Sequence, residues 1–448
     1  MIQADLTQGS VSKHLRRMTI PMIWGILSIM SMNLVDTWYV AQLGTEPLAA
    51  MSFTIPIVSI LLSLAFGIGI GSSSLISRAI GAGESRTVRL YATQSLLIGL
   101  LIAASFAAIG YNTIDPTFKA LGAPDELMPL IHDFMDIWFL GSFIVVIPMV
   151  GNSALRAAGN TVIPGVIMMV VAVVNIILDP ILIFGYLGFP AMGLAGAALA
   201  TVISYSFALV IGLYLLTFKL NFLSLNDCKG RVIEAWRHIL RLAIPAIGTN
   251  LIAPLSVAFT TWMIASQGAS AVAGFGVASR IESLCLVVIM AMSSIMGPFV
   301  GQNWGAGQRD RVARGLTLTR NFSFAFCACI TVLLLIFSDE IAGFFTSDQS
   351  VVKAASLYLI AVPWSYFFLS LIMLASSTYN GIGQPVPSLL MSFMRLIGLF
   401  VPLAFVASYY YDLVGIYLAA AVSNLVVGIG ALYGSRHLSK PRSGEHYA

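Results

Sequence analysis

Charge is scarce in this chain. Asp, Glu, Lys and Arg make up 9% of its 448 residues, and hydrophobic residues make up 58%. A soluble globular domain carries roughly 25% charged residues, because its surface has to be solvated by water. This chain has too few polar groups to cover itself, so lipid is the solvent its composition requires. Cysteine is scarce too. Cys228, Cys285, Cys327 and Cys329 show no metal-ligand spacing, and the last three lie in apolar runs, which reads as packing. The five histidines (14, 132, 238, 437 and 446) fall in predicted loops or at helix ends, away from any nucleophile. HExxH, GxSxG and P-loop motifs are absent. An enzyme is therefore not expected, and neither is a nucleotide-driven pump. Gly67-Ile68-Gly69-Ile70-Gly71 lies inside an apolar run and reads as a helix-packing surface. Lys13, Arg16 and Arg17 precede a long apolar stretch without a small-residue cleavage site, so no secretory signal is expected.

Long apolar runs fill the rest. A membrane span needs about 20 mostly apolar residues. Helices are predicted near 18–40, 48–76, 90–110, 129–151, 162–184, 192–216, 242–265, 272–300, 315–337, 354–377, 387–409 and 413–434. Twelve spans put both termini on one side. That side's segments hold 18 of the 23 Lys and Arg: Lys13, Arg16 and Arg17; Arg78, Arg86 and Arg89; Arg156; Lys219, Lys229, Arg231, Arg237 and Arg241; Arg309, Arg311 and Arg314; Arg436, Lys440 and Arg442. The opposite loops hold only Lys119 and Lys353, among several acids. Basic loops stay in the cytoplasm, so both termini are expected there. An odd helix count would scramble this sorting.

The chain also repeats at an offset of 224 residues, half its length. Ile20-Pro21 matches Ile244-Pro245, Trp38 matches Trp262, Gly81-Ala82-Gly83 matches Gly305-Ala306-Gly307, and Gly159 matches Gly383. The fold class that follows is an all-α integral membrane protein with two pseudo-twofold-related six-helix bundles. The predicted division is an N-lobe over 1–216, a polar and basic linker over 217–238, and a C-lobe over 239–448. Duplicated bundles of this kind place substrate between the halves and work by alternating access.

Acids inside spans are expensive, and each is a functional candidate. Asp36 lies about 18 residues into the first predicted helix, roughly 27 Å along its axis. Asp179 lies about as far into the fifth, which runs the same way. Asn175 is one turn before Asp179 and shares its face. Thr201, on the sixth helix, matches their depth, and Asn33, Thr37 and Asn152 are further candidates for a polar lining. Low dielectric disfavours two bare carboxylates side by side, so such a pair takes up a proton or a cation. A bare Na+ is the fitting metal ion, because hard cations take oxygen ligands, here from Asp36, Asn175, Asp179 and Thr201. At the 224-residue offset Asp36 becomes Thr260 and Asp179 becomes Leu403, so ion chemistry is confined to the first half. Pro21 interrupts the first helix some turns below Asp36 and reads as a kink. Glu282 reads as a wetted mouth residue in preference to a binder of a cationic substrate, and Arg395 as an arginine that either snorkels to the basic side or meets a buried partner. The 19 Met suit either promiscuous binding or plain packing.

With these residues in view, the chain resembles the multidrug and toxic compound extrusion (MATE) family of the MOP flippase superfamily. The likeness rests on the duplicated layout and the Pro and Trp spacing in both halves. It also rests on Arg78-Ala-Ile-Gly-Ala-Gly-Glu84 and Leu155-Arg-Ala-Ala-Gly-Asn160. Asp36, the Asn175-Ile-Ile-Leu-Asp179 pattern and Thr201 resemble the cation site of its DinF-like branch. The NorM-like branch puts acids in helices 7 and 10, which this sequence lacks. The resemblance implies an efflux antiporter that exports amphipathic, often cationic, drugs and dyes in exchange for H+ or Na+. It implies a multi-pass location in a prokaryotic plasma membrane, with bending at Pro21 as a coupling step. No bound cofactor or nucleic acid partner is expected, and no oligomer is implied. The alternative within the superfamily is a flippase for lipid or lipid-linked glycan, which would want basic residues in its cavity; Arg280 and Arg395 bear on it.

Overall fold

The structure is a computed structural model that describes residues 5–228 and 230–438; Lys229, Lys440, Arg442 and His446 lie outside them. The described residues form helices and connecting turns, without a strand. In chain order the α-helices are α1 (Val11–Gln42), α2 (Thr45–Gly81), α3 (Ser85–Asn112), α4 (Ile114–Ala120), α5 (Met128–Ala157), α6 (Val162–Phe184) and α7 (Leu194–Tyr214). Then follow α8 (Val232–Ala265), α9 (Ala269–Gly305), α10 (Arg309–Gly343), α11 (Gln349–Ala361), α12 (Tyr366–Gly381), α13 (Val386–Phe393) and α14 (Val401–Leu438). Among the described residues, eleven helical segments are long and apolar enough to cross a membrane. The last of them, Val386–Ser435, has 50 residues. At 1.5 Å per residue that is about 75 Å, more than twice a bilayer core. It breaks at Tyr411 and at Asp412, whose φ of 48° is left-handed. A Cβ on Gly415 would collide with the Ala407 carbonyl, so the chain doubles back there. The segment is thus two spans, and the total is the expected twelve.

The predicted spans underestimate the helices at their basic ends. α1 begins seven residues before the expected start, on a turn that holds Lys13, Arg16 and Arg17, and α8 begins at Val232. Hydropathy finds only the length that needs lipid, whereas the hydrogen-bonded ladder runs on into the polar region. The tenth span is not one helix. It is α11 and α12, divided by a 3₁₀ turn at Pro363–Ser365, where Pro363 brings no amide hydrogen to the ladder. The eleventh is α13, a π-helical stretch at Met394–Phe400, and the first part of α14.

Packing groups Ile20–Ile247 into one compact unit, and Leu6–Thr19 with Gly248 onward into another. In the first unit α5 is central and packs on α2, α3 and α7. In the second α9 packs on α10, α11 and α12. The repeat recurs in the geometry of both. Trp38 and Trp262 are 60% and 63% exposed, an apolar placement that suits lipid. Gly83 and Gly307 have φ of 76° and 73°, and Gly159 and Gly383 have 78° and 83°. Those left-handed turns explain why glycine recurs at the same offset.

The polar stretch over 217–238 is ordered against the first unit. Arg89 pairs with Asp227 at 2.5 Å, Trp236 donates to Gln94 Oε1 at 2.6 Å, and Tyr91 bonds His238 at 2.9 Å.

Candidate functional site

The first unit brings the Asp36 helix and the Asp179 helix together through glycine. A Cβ on Gly165 of α6 would stand 2.6 Å from the Pro21 carbonyl oxygen of α1. A Cβ on Gly25 would stand 3.0 Å from Gly165 Cα. Only hydrogen fits at this crossing, so the two backbones meet there. From it, Asp36 is eleven residues up α1 and Asp179 fourteen up α6, roughly 16 and 21 Å at 1.5 Å per residue. The acids are therefore close in height, and Asp36 lies within electrostatic range of Asp179. α1 runs through Pro21 without a break in its helix assignment.

Asp179 and Asn175 are both 0% exposed. Asn175 Nδ2 donates to Asp179 Oδ1 at 3.2 Å, which fixes the carboxylate on its own helix. The other oxygens are left over. Asp36 Oδ1, Asp179 Oδ2 and Asn175 Oδ1 are buried without a hydrogen-bond partner. Buried acceptors are normally satisfied, and each orphan needs an explanation. Three on two adjoining helices make an acceptor-rich, donor-poor locus. α6 also continues through Pro180 to Phe184, so Asp179 does not cap a helix end.

Thr201 lies on α7, which packs along α6. A Cβ on Gly196 would meet the Leu182 carbonyl at 2.5 Å, and this sets the register. Thr201 is five residues beyond Gly196 and Asp179 three before Leu182, roughly 7 and 4 Å from the same crossing. The Thr201 hydroxyl donates to the Ala197 carbonyl at 3.1 Å, and its lone pairs remain available. Thr37 is half-buried and donates to the Asn33 carbonyl at 2.8 Å, while the Asn33 side chain is exposed. Asn152, on α5, has a buried Oδ1 without a partner.

The second unit holds a polar cluster that sequence reasoning did not assemble. A cavity of about 300 Å³ there is lined by Glu282, Tyr358, Arg395, Tyr417 and Asn424, among others. Tyr358 donates a short hydrogen bond to Glu282. Arg395 Nη1 donates to Asn424 Oδ1 at 3.4 Å, and Asn424 Nδ2 donates to Ser365 Oγ at 3.0 Å. Glu282 thus lines a cavity and is not a mouth residue, and of the two placements expected for Arg395 the structure shows the buried partner, Asn424. The members come from five segments between residues 282 and 424, so no spacing rule announces them. Arg280, by contrast, is exposed.

The comparisons with known proteins agree with this architecture. The MatE family model matches residues 21–181 and 245–406, two stretches that start 224 residues apart. A FAD transporter of Shewanella oneidensis is 37% identical over 437 residues, covering 97% of each chain. The probable multidrug resistance protein YoeA of Bacillus subtilis is 26% identical, covering 89% of this chain and 88% of its own. The crystal structure of the Vibrio cholerae MATE transporter VcmN in its bent form matches with a TM-score of 0.89 at 31% identity. It covers 96% of this chain and 97% of that one. Twelve spans, a duplicated order, and family matches in both halves lead to one conclusion: the chain is a multi-pass membrane protein that belongs to the MATE family of transporters.

Proposed function

We propose that this chain is an ion-coupled exporter of amphipathic aromatic compounds, coupled at Asp36, Asn175, Asp179 and Thr201. The observation that carries the reading is the set of buried, unpartnered oxygens on α1 and α6. A proton on either acid, or a bare Na+ among the oxygens, satisfies them. Alternating access follows if loading this locus changes how α1 packs on α6 at Gly25 and Gly165. Within the family the placement of both acids in the first half supports the DinF-like branch. The distribution of basic residues supports cytoplasmic termini in a prokaryotic plasma membrane.

A second reading concerns the cargo. The Shewanella oneidensis relative, alike over 97% of both chains, carries the name FAD transporter. That favours a flavin dinucleotide as substrate beside, or in place of, cationic drugs such as those implied by the multidrug relatives.

Purified protein in proteoliposomes tests both readings. Ethidium and FAD efflux are measured under an imposed pH gradient without sodium, and under a sodium gradient without a pH gradient. Efflux under one gradient is expected, together with its loss in Asp36→Asn and in Asp179→Asn, both still folded in the membrane. Full efflux in both variants sinks the coupling assignment. Absence of efflux for either compound under both gradients moves the reading to lipid translocation, for which labelled lipid is the next cargo.

A further inference from the structure

We infer that the cavity of the second unit is a phosphate-recognising subsite, in which Arg395 holds the anionic end of an aromatic substrate. The inference rests on the exporter reading for its purpose, but its chemistry comes from the cavity itself. Arg395 sits in the π-helical stretch Met394–Phe400. Such segments are rare, and they occur frequently at functional sites. A guanidinium carries five N–H donors. This one makes a single long hydrogen bond, to Asn424 at 3.4 Å, and no carboxylate among the described residues forms an ion pair with it. Asn424, 5% exposed, is itself held by Ser365, which is 0% exposed, so the guanidinium is positioned from behind. Tyr417 is 1% exposed, lines the same cavity, and has a hydroxyl without a partner. Unused donors around one cavity call for an acceptor-rich ligand. A phosphate, with three terminal oxygens, takes a forked guanidinium and a hydroxyl together.

The walls point to an aromatic compound. Tyr358 meets Tyr417 edge-on with centroids 4.9 Å apart, and meets Phe275 at 5.7 Å. A volume of about 300 Å³ suits one end of a large amphiphile, since pockets for whole drug-sized ligands run roughly 300–1,000 Å³. Glu282 lies in the same cavity within electrostatic range of Arg395. It offsets the buried positive charge of Arg395, while Tyr358 occupies it by hydrogen bonding.

The repeat sharpens the argument. At the 224-residue offset Arg395 corresponds to Val171, Asn424 to Ala200 and Glu282 to Val58. Conversely Asn175 corresponds to Leu399, Asp179 to Leu403 and Thr201 to Leu425. The fifth and sixth spans of each half thus carry polar chemistry, and the two halves have diverged reciprocally. One half leaves buried acceptors without partners, and the other leaves donors of Arg395 and Tyr417 unused.

FMN and riboflavin are the matched probes, because they differ only by a phosphate. Their binding to the purified full chain in detergent is measured by flavin fluorescence, with no gradient present. FMN is expected to bind at least tenfold tighter than riboflavin. Arg395→Gln should remove that preference by weakening FMN at least tenfold, with riboflavin little changed, and Arg395→Lys should keep part of it. Glu282→Gln should move FMN affinity the opposite way, upward, which a merely structural role for the cluster does not predict. Equal binding of the two flavins, no FMN binding, or a preference that survives in folded Arg395→Gln overturns the assignment. So does Arg395-dependent binding of short-chain phosphatidylglycerol in place of FMN, which would make the phosphate a lipid headgroup. Ethidium efflux from proteoliposomes of the same proteins under an imposed ion gradient separates the cases: its survival leaves the exporter reading standing when the subsite fails.

Discussion

Asp179 is the residue at which the proposed coupling role and stability pull apart. A buried polar group left without a partner costs about 1–3 kcal/mol, and Asp179 and Asn175 each keep one such oxygen. Their counterparts in the second half are Leu403 and Leu399, so an apolar pair is compatible with a span of this design. The double variant Asn175→Leu/Asp179→Leu should therefore raise the thermal midpoint of the purified protein while it abolishes gradient-driven efflux. A lowered midpoint with normal expression would mean that the oxygens are satisfied in the folded protein. This pair was legible from sequence, because an Asn and an Asp one turn apart inside an apolar run stand out against their surroundings. Arg395 was legible only as an oddity. Its partner Asn424 lies 29 residues away on another segment, and the Ser365 that holds Asn424 lies 59 residues from it; distance along the chain says nothing about which side chains meet.

At the scale of elements, the crossing of α1 on α6 depends on glycine. The 2.6 Å separation between a Gly165 Cβ and the Pro21 carbonyl leaves no room for a side chain against backbone. Gly165→Val should force the helices apart, lower stability by about 1–3 kcal/mol as overpacking does, and disconnect Asp36 from Asp179. Thermal midpoint and dye efflux should both fall, with Gly165→Ala intermediate. Unchanged efflux in Gly165→Val would show that the two helices do not act together. Span existence was readable from apolar length, since lipid imposes that length directly. Three local features escaped it: the 3₁₀ break at Pro363–Ser365, the π-helical stretch at Met394–Phe400 and the early start of α8. Hydropathy averages side-chain polarity, so it registers neither a missing amide hydrogen at Pro363 nor a hydrogen-bonded ladder that runs on past the lipid-matched length.

For the molecule as a whole, the connection between its halves is a docked segment. Arg89 holds Asp227 by a 2.5 Å ion pair, and that hydrogen bond keeps the Asp227 carboxyl below its ordinary value of 3.8. A carboxyl whose folded pKa is depressed stabilises fully above its unfolded value, and this is lost as pH falls through the folded value. The Arg89–Asp227 contribution to docking should therefore be insensitive to pH near neutrality and be lost only in acid below the ordinary carboxylate range. Arg89→Ala should loosen it at any pH, seen as faster tryptic cleavage at Lys219 and Arg231. Equal cleavage of wild type and variant would place the hold elsewhere, in the Trp236–Gln94 and Tyr91–His238 contacts.

Composition alone determined that this chain lives in lipid, because 9% charge cannot solvate a protein of 448 residues. Periodicity and the 224-residue offset determined twelve spans in two sixes, and the lone acids marked the locus proposed for coupling. Those are one-dimensional properties: length, repetition, and a charge where none is affordable. Only the tertiary structure decided which acceptors stay unpartnered, where helix backbones touch, and that Glu282, Tyr358, Arg395, Tyr417 and Asn424 share one cavity. Such facts depend on how separate helices are rotated and staggered against one another, and that information exists only once the chain is packed.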